Sequence, residues 1–511
     1  MTNTRAAAIF ALALSIASCA PAHLRQSHGG QPPAPGSALA ADLDALFFTP
    51  PFDTALWSVR IERLQGGEVL YERNPRTLVM PASNMKIVTM AAAAETLGWD
   101  YRFETRLVAE GDIRGGVLYG DLRVIGGGDP SIGAQDHGAS PLFREWAGVL
   151  RKAGITRVTG RVIGDDSAFD DEMLGAGWAW DYLAYGYAAP VSALQYGEGV
   201  AVLRIRPGAR EGDPATVLLS PPGHGLELES TVRTGPADRN ANIDLARLPG
   251  QRRLRVSGTV PAGGSQAIRT AAVDNPTQFF VDGFRQALIE AGVRVDGAAV
   301  DIDDAAGYTP AADARLIASH GSAPQSELGA YFMKVSQNLY GETFLKAMGR
   351  TAGGGPGSLA TGRAVVRAVL EKWGIPPGTY ALFDGSGLSR YNEVSAWMLT
   401  RILRTMWEDE RHRGWFLAAL PVGGHDGTLG RRMIDTELQG AVQAKTGTIA
   451  NARALSGFLT APSGERFIFS IVANNFLRPS SEVDAIAERA LRRVLQAAAS
   501  ASPPAPAPPR R

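Results

Sequence analysis

Of the 51 basic side chains, 45 are arginine and six are lysine, and three of those lysines stand in or beside short boxes that also hold serine or threonine. The boxes are Ser83-Asn84-Met85-Lys86, Lys334-Val335-Ser336-Gln337-Asn338 and Lys445-Thr446-Gly447. A lysine can give up its proton at an accessible pKa and an arginine cannot. A chain that otherwise uses arginine for positive charge, yet places a lysine three residues after a serine, points to lysine chemistry. Residues three apart on a helix share a face, so Ser83 and Lys86 meet. A serine hydroxyl is a poor nucleophile until a base removes its proton. Lys86 becomes that base if burial or a neighbouring positive charge lowers its pKa, and Lys445 can supply the charge. A helix N-terminus at Ser83 would also offer N–H groups that suit an oxyanion. Singly, each box reads equally well as a surface helix, a helix cap or a strand end. Together, in the order nucleophile box, middle box, strand box, they are a signature of serine acyl transfer.

The length of 511 residues leaves room for about two to four domains. Lys plus Arg and Asp plus Glu stand at 51 each, so no global field recruits nucleic acid or an anionic membrane. Arg5 precedes the apolar run Ala6 to Ala17, which is too short to span a bilayer and fits a secretory leader. The run closes on Ile16-Ala17-Ser18-Cys19, which looks like a bacterial lipobox. On that reading residues 1–19 are a lipoprotein-type signal peptide and Cys19 carries lipid, holding the protein on the outer membrane facing the periplasm. An ordinary signal peptide cleaved nearby would instead discard Cys19. Cys19 is the only cysteine, so no disulfide can form within one chain. Seven scattered histidines and no His-Glu-x-x-His give no reason to expect a metal or another cofactor.

Residues 20–36 read as a linker and 498–511 as a Pro/Ala-rich disordered tail. Alternation at Trp57, Val59 and Ile61, then Gly66-Gly67, then Val69 to Tyr71, predicts a hairpin. Met85 to Leu97, stopped by Gly98, predicts a mostly buried helix. From about 105 to 304 the texture changes to short strand-like segments broken by Gly and Pro. A faint echo runs within it: Ala153-Gly154-Ile155 with Val158, Gly160 and Val162, against Ala291-Gly292-Val293 with Val295, Gly297 and Val300. A second hairpin is expected over 454–472. A final helix should carry the stripe Val483, Ile486, Ala487, Ala490, Leu491, Val494 and Leu495. The expectation is an α/β (α+β) catalytic domain split into 38–104 and 305–497, with 105–304 inserted as a mostly β accessory region of two subdomains.

These boxes are accompanied by Leu78 to Ala82, Gly126 to Pro130, Ala188-Ala189-Pro190-Val191-Ser192-Ala193, Asp384-Gly385-Ser386-Gly387-Leu388-Ser389, Asp426-Gly427-Thr428-Leu429 and Asn474-Asn475-Phe476. With them the chain resembles the class C low-molecular-weight penicillin-binding proteins, the D-alanyl-D-alanine carboxypeptidase/endopeptidases of peptidase family S13. The interval of about 250 residues between the first two boxes is that family's hallmark. The resemblance implies a penicillin-binding/β-lactamase-like fold, an antiparallel sheet flanked by helices. It implies cleavage of peptidoglycan stem peptides, inhibition by β-lactams, Ser83 as acylated nucleophile and Lys86 as its base. Ser336 would relay a proton to the leaving amine and Asn338 orient the substrate amide. Lys445 and Thr446 would hold the terminal carboxylate beside Gly447, and the N–H groups of Ser83 and Thr448 would form the oxyanion hole. Trp178 and Asp181 would receive the free amino end of a diaminopimelyl side chain, unless they are a packing residue and a solvated loop charge. Gly341 stands where the family pattern has alanine. A β-lactamase or esterase of the same fold is the rival reading, but no Glu-x-x-Leu-Asn segment occurs and the middle box opens on Ser336 rather than tyrosine. A non-catalytic cell-wall-binding scaffold is the other rival.

Overall fold

The computed structural model describes residues 38–134 and 140–501; Cys19, the leader, the linker and residues 502–511 lie outside them. The chain's two ends build one five-stranded antiparallel sheet, in the order Val442–Ile449, Ala452–Thr460, Arg466–Asn474, Leu56–Arg63, Val69–Arg73. Both expected hairpins are in it, joined where Trp57 pairs with Ala473. Strand alternation sends Phe467, Phe469 and Ile471 to one face and Ile468 and Val472 to the other. The first face is covered by helices Ala38–Phe47 and Ser480–Ala501. All seven residues of the expected stripe are buried there. The final helix reaches Ala501, past the residue where a disordered tail was expected, because Ala498 is still buried on the stripe. On the second face lie helices Met85–Thr96, Asn338–Gly353, Leu359–Lys372 and Ala396–Glu408, which share one core with it.

The inserted region leaves this domain at Phe103 and returns at Ser322, and the two crossing strands are tied there. Ser322 N–H donates to the Phe103 carbonyl at 2.9 Å, and Phe103 N–H to Ser322 Oγ at 3.0 Å. Strand Arg315–Gly321 pairs with Glu104–Arg114, so the insert's sheet extends beyond residue 304. Two hydrophobic clusters fill the region. One packs Phe143, Trp146, Phe280 and Phe284 against a seven-stranded sheet, and the other lies between sheets of three and four strands. The echo is a structural repeat: Arg157–Val158 pairs in parallel with Arg294–Val295, and Val162 to Gly164 with Ala299 to Asp301. Its glycines mark where the strands crowd. A Cβ on Gly160 would collide with Asp121 and the Gly120 carbonyl, and one on Gly297 with the Gly160 carbonyl.

Candidate active site

Ser83 sits on a short 3-10 turn, Ala82–Asn84, that feeds directly into the helix Met85–Thr96. Its neighbour Ala82 has φ 47°, a left-handed conformation that a non-glycine residue holds only under constraint from its surroundings. Two glycines supply the room for that constraint. A Cβ on Gly447 would lie 2.6 Å from the Pro81 carbonyl, and one on Gly387 would collide with the Ala82 carbonyl. The strand box and the Asp384–Ser389 loop therefore press on the Ser83 turn from two sides, which accounts for the glycine after Lys445-Thr446. Asn84 stitches the turn to that strand, with its amide donating to the Lys445 carbonyl at 2.8 Å and accepting from Ser456 Oγ at 2.7 Å.

Lys86 is fully buried. Its Nζ lies 3.0 Å from Ser83 Oγ, 2.6 Å from Asn338 Oδ1 and 2.8 Å from the Ser386 carbonyl. Burial lowers its pKa from 10.5 to about 7, against the opposing pull of Asp384 and Glu342. Of the two causes open to the sequence, burial or a neighbouring charge, the lowering is desolvation. Lys445 is itself fully buried, and its pKa is pushed down by burial and then by Lys86. Lys445 Nζ donates to Ser336 Oγ and to the Thr446 carbonyl, each at 2.9 Å. Ser336 has φ 64°. Asn338 completes the ring by donating its Nδ2 to the Tyr187 carbonyl at 2.8 Å. Three boxes distant in sequence thus meet around two serines and two buried lysines.

The D-Ala-D-Ala carboxypeptidase 3 (S13) family model matches residues 39–498. The chain belongs to that family. It is 35% identical over 468 residues to the D-alanyl-D-alanine carboxypeptidase of Actinomadura sp. (strain R39), covering 88% of this chain and 84% of that protein. To the D-alanyl-D-alanine carboxypeptidase DacB of Haemophilus influenzae it is 27% identical over 423 residues, 81% of this chain and 84% of that one. A crystal structure of penicillin binding protein 4 (dacB) from Haemophilus influenzae superposes with a TM-score of 0.76 at 24% identity, over 90% of this chain and 98% of that one, which shows the shared fold. The expected fold class is the one observed.

For an S13 chain, this site also contains groups that the boxes alone do not reveal. Glu342, fully buried, accepts the Gly385 and Ser386 N–H groups at 2.9 Å each, and burial pushes its pKa up to about 8. Asp384 accepts from Gly387 N–H at 2.8 Å, Ser389 N–H at 2.6 Å and Asn392 Nδ2 at 2.6 Å. The two carboxylates therefore shape the loop that presents the Ser386 carbonyl to Lys86. Gly341 belongs to the same packing, since a Cβ there would lie 2.9 Å from the Gly385 carbonyl. The glycines of Asp384 to Ser389 were the visible signal; Glu342 left none.

A cleft of about 880 Å³ opens at Ser83, lined by Tyr187, Ser336, Asn338, Thr428, Thr446 and Thr448 among others. Thr446 Oγ1 donates to Thr428 Oγ1 at 2.8 Å, which adds a hydroxyl from the Asp426–Leu429 turn. Lys334 anchors that turn through Asp426 Oδ2 at 2.5 Å, so the third box lysine is a support for the cleft wall. The insert contributes Tyr182 and Tyr187 to the lining. Trp178 is not among the lining residues: its indole N–H donates to Asp384 at 2.9 Å, beneath the loop. Asp181 is exposed, and its charge is among those that raise the Tyr187 phenol pKa, after burial and two neighbouring tyrosines. Two acidic groups, Glu95–Asp409–His412 and Asp166–Asp301–Asp303, bring ligand atoms close enough for one ion, but neither includes a residue of the cleft lining.

Proposed function

We propose that this serine-type D-alanyl-D-alanine carboxypeptidase of peptidoglycan works through an acyl group carried on Ser83. The observation that carries the reading is Lys86, buried, with its pKa lowered to about 7 and its Nζ 3.0 Å from Ser83 Oγ. Lys86 Nζ takes the hydroxyl proton as Oγ attacks the carbonyl of the penultimate D-alanine. The oxyanion is held by the N–H groups of Ser83 and Thr448. The departing amine takes its proton from the Ser336 hydroxyl, which is resupplied with the proton Lys86 took from Ser83, so Lys445 keeps its own proton and Lys86 is again unprotonated when water releases the acyl group. Two buried ammonium groups disfavour one another, so one proton must move out or be neutralised. A substrate carboxylate docking at Lys445, Thr446 and Thr428 keeps the proton on Lys445 and leaves Lys86 free to act as base. Asn338 orients the substrate amide by exchanging its Tyr187 partner for the incoming peptide. A β-lactam enters the same path and stalls at the acyl stage.

On the insert side, Asp181 offers a carboxylate to the free amine of a diaminopimelyl side chain, with the neighbouring tyrosines providing its apolar bed. The enzyme meets its polymer outside the cytoplasm, and Cys19, outside the described residues, is the proposed lipid attachment point on the outer membrane. Among the described residues no helix is long and apolar enough to cross a membrane.

The decisive experiment is mass spectrometry after penicillin labelling, together with product analysis on muropeptide monomers and crosslinked dimers. The adduct is expected on the peptide containing Ser83 and on no peptide of Ser83→Ala. Label retained in that variant would refute the assignment. Monomer and dimer products measure exopeptidase against endopeptidase action. Asp181→Asn should slow cleavage of free-amine peptides about tenfold, as expected for a lost charge-assisted contact, with penicillin acylation unchanged.

A further inference from the structure

The middle box must hold a conformation that it does not prefer. Ser336 has φ 64°, between helices Gln325–Lys334 and Asn338–Gly353, and a left-handed serine persists only where its surroundings impose it. One carboxylate of the inserted region reaches both helices. Glu198 Oε1 accepts from the Tyr331 hydroxyl at 2.7 Å, on the helix before the box, and Glu198 Oε2 accepts from Gln337 Nε2 at 2.6 Å, inside the box. Gln337 in turn caps the following helix, its Oε1 accepting from Leu339 N–H at 3.2 Å. The carboxylate is rigidly mounted. Glu198 is itself left-handed at φ 57°, two residues after Tyr196, whose ring packs 4.9 Å from Phe143 and 5.1 Å from Phe279 in the insert's own core. A second tie from the insert, the Tyr187 carbonyl, takes the Asn338 Nδ2 and leaves Asn338 Oδ1 facing Lys86.

We propose that Glu198 is a positioning residue for acylation: through Gln337 it sets the peptide that carries Ser336 on one side and Asn338 on the other. The inserted region is then part of the catalytic apparatus, holding from outside a loop that the catalytic domain grips from within through Lys445 on Ser336 and Lys86 on Asn338. The inference rests on the acyl-enzyme reading above. Misplacement of a catalytic group by about 1 Å can reduce rates about 10²-fold, which sets the size of the expected effect.

The test is an exchange of the two partners in the full-length protein, with Glu198→Gln, Gln337→Glu and the double variant compared with wild type. Penicillin acylation and D-alanine release are measured, and thermal melting confirms folding. Each single variant spoils the pair, by placing an amide against donors or two carboxylates face to face. The double variant restores it: the amide at 198 donates to the carboxylate at 337, which still accepts the Leu339 N–H. Each single variant should lose about 10- to 10²-fold in acylation and in kcat, with KM within about twofold, and the double should return to within about threefold of wild type. Single variants that acylate at the wild-type rate, or a double no faster than the singles, would overturn the proposal. A wild-type protein that forms no adduct at all would instead overturn the acyl-enzyme reading.

Discussion

Two regions of one helical layer each bury a lysine completely, and their surroundings differ in kind. Lys346, against the insert, meets Asp170 Oδ1 at 2.7 Å and the Asp170 carbonyl at 2.9 Å. Lys86, under the cleft, meets a hydroxyl, an amide oxygen and a peptide carbonyl. The two acidic groups whose charge reaches it, Asp384 and Glu342, are spent on the N–H groups of the Asp384–Ser389 loop. A buried cation with its own carboxylate is a structural pair, and one held only by neutral acceptors is poised to lose its proton. Burial alone therefore does not make a base; the partner decides.

The comparison breaks most readily at the charge itself. Lys86→Arg keeps a cation that cannot deprotonate, so penicillin acylation should fall by about 10²–10⁴-fold, the usual contribution of a general base. Lys346→Arg should stay within about tenfold of wild type, because its role is to pair with Asp170. Equal losses in the two variants would mean that Lys86, too, only places charge.

A smaller effect separates the regions by stability. Asp170→Asn leaves the Lys346 ammonium buried without its counter-ion and should cost about 3 kcal/mol in urea unfolding. Acylation by the folded protein should be unchanged.

The smallest effect sharpens the comparison through pH. With Lys86 near 7, acylation should rise as pH climbs through that value and level off above it, and Asp170→Asn should leave the midpoint in place. The sign of the linked stability follows from the lowered pKa. Between about 7 and 10.5 the unfolded chain holds a proton on Lys86 that the folded chain has lost, so this contribution to stability rises with pH across that window. Below 7 the cost of burying the ammonium is fully present. Lys86→Met should flatten that part of the melting-temperature profile.

The three boxes were legible because the proposed chemistry restricts residue type: a hydroxyl to be activated, a base that can deprotonate and a cation for a carboxylate suit Ser, Lys and Lys at these spacings. The sheet and its covering helix were legible because alternation and a 3.6-residue stripe are properties of the local chain. The limits of the insert were less so. Strand Arg315–Gly321 carries no stronger pattern than its neighbours and is defined by pairing with Glu104–Ala109, more than 200 residues away.

What the sequence determined by itself was the three boxes, their order and the periodic surfaces, each box and each surface being a pattern of neighbours a few residues apart. What only the tertiary structure decided was the environment of those groups. It put Trp178 on Asp384, turned Lys334 into a prop for the Asp426–Leu429 turn, and set Glu342 on the N–H groups of the loop whose carbonyl Lys86 meets. It also attached the insert to the middle box through Glu198 and Tyr187. The physical reason is that a proton's affinity and a side chain's direction depend on which atoms displace water around them, and those atoms come from segments that only folding brings together.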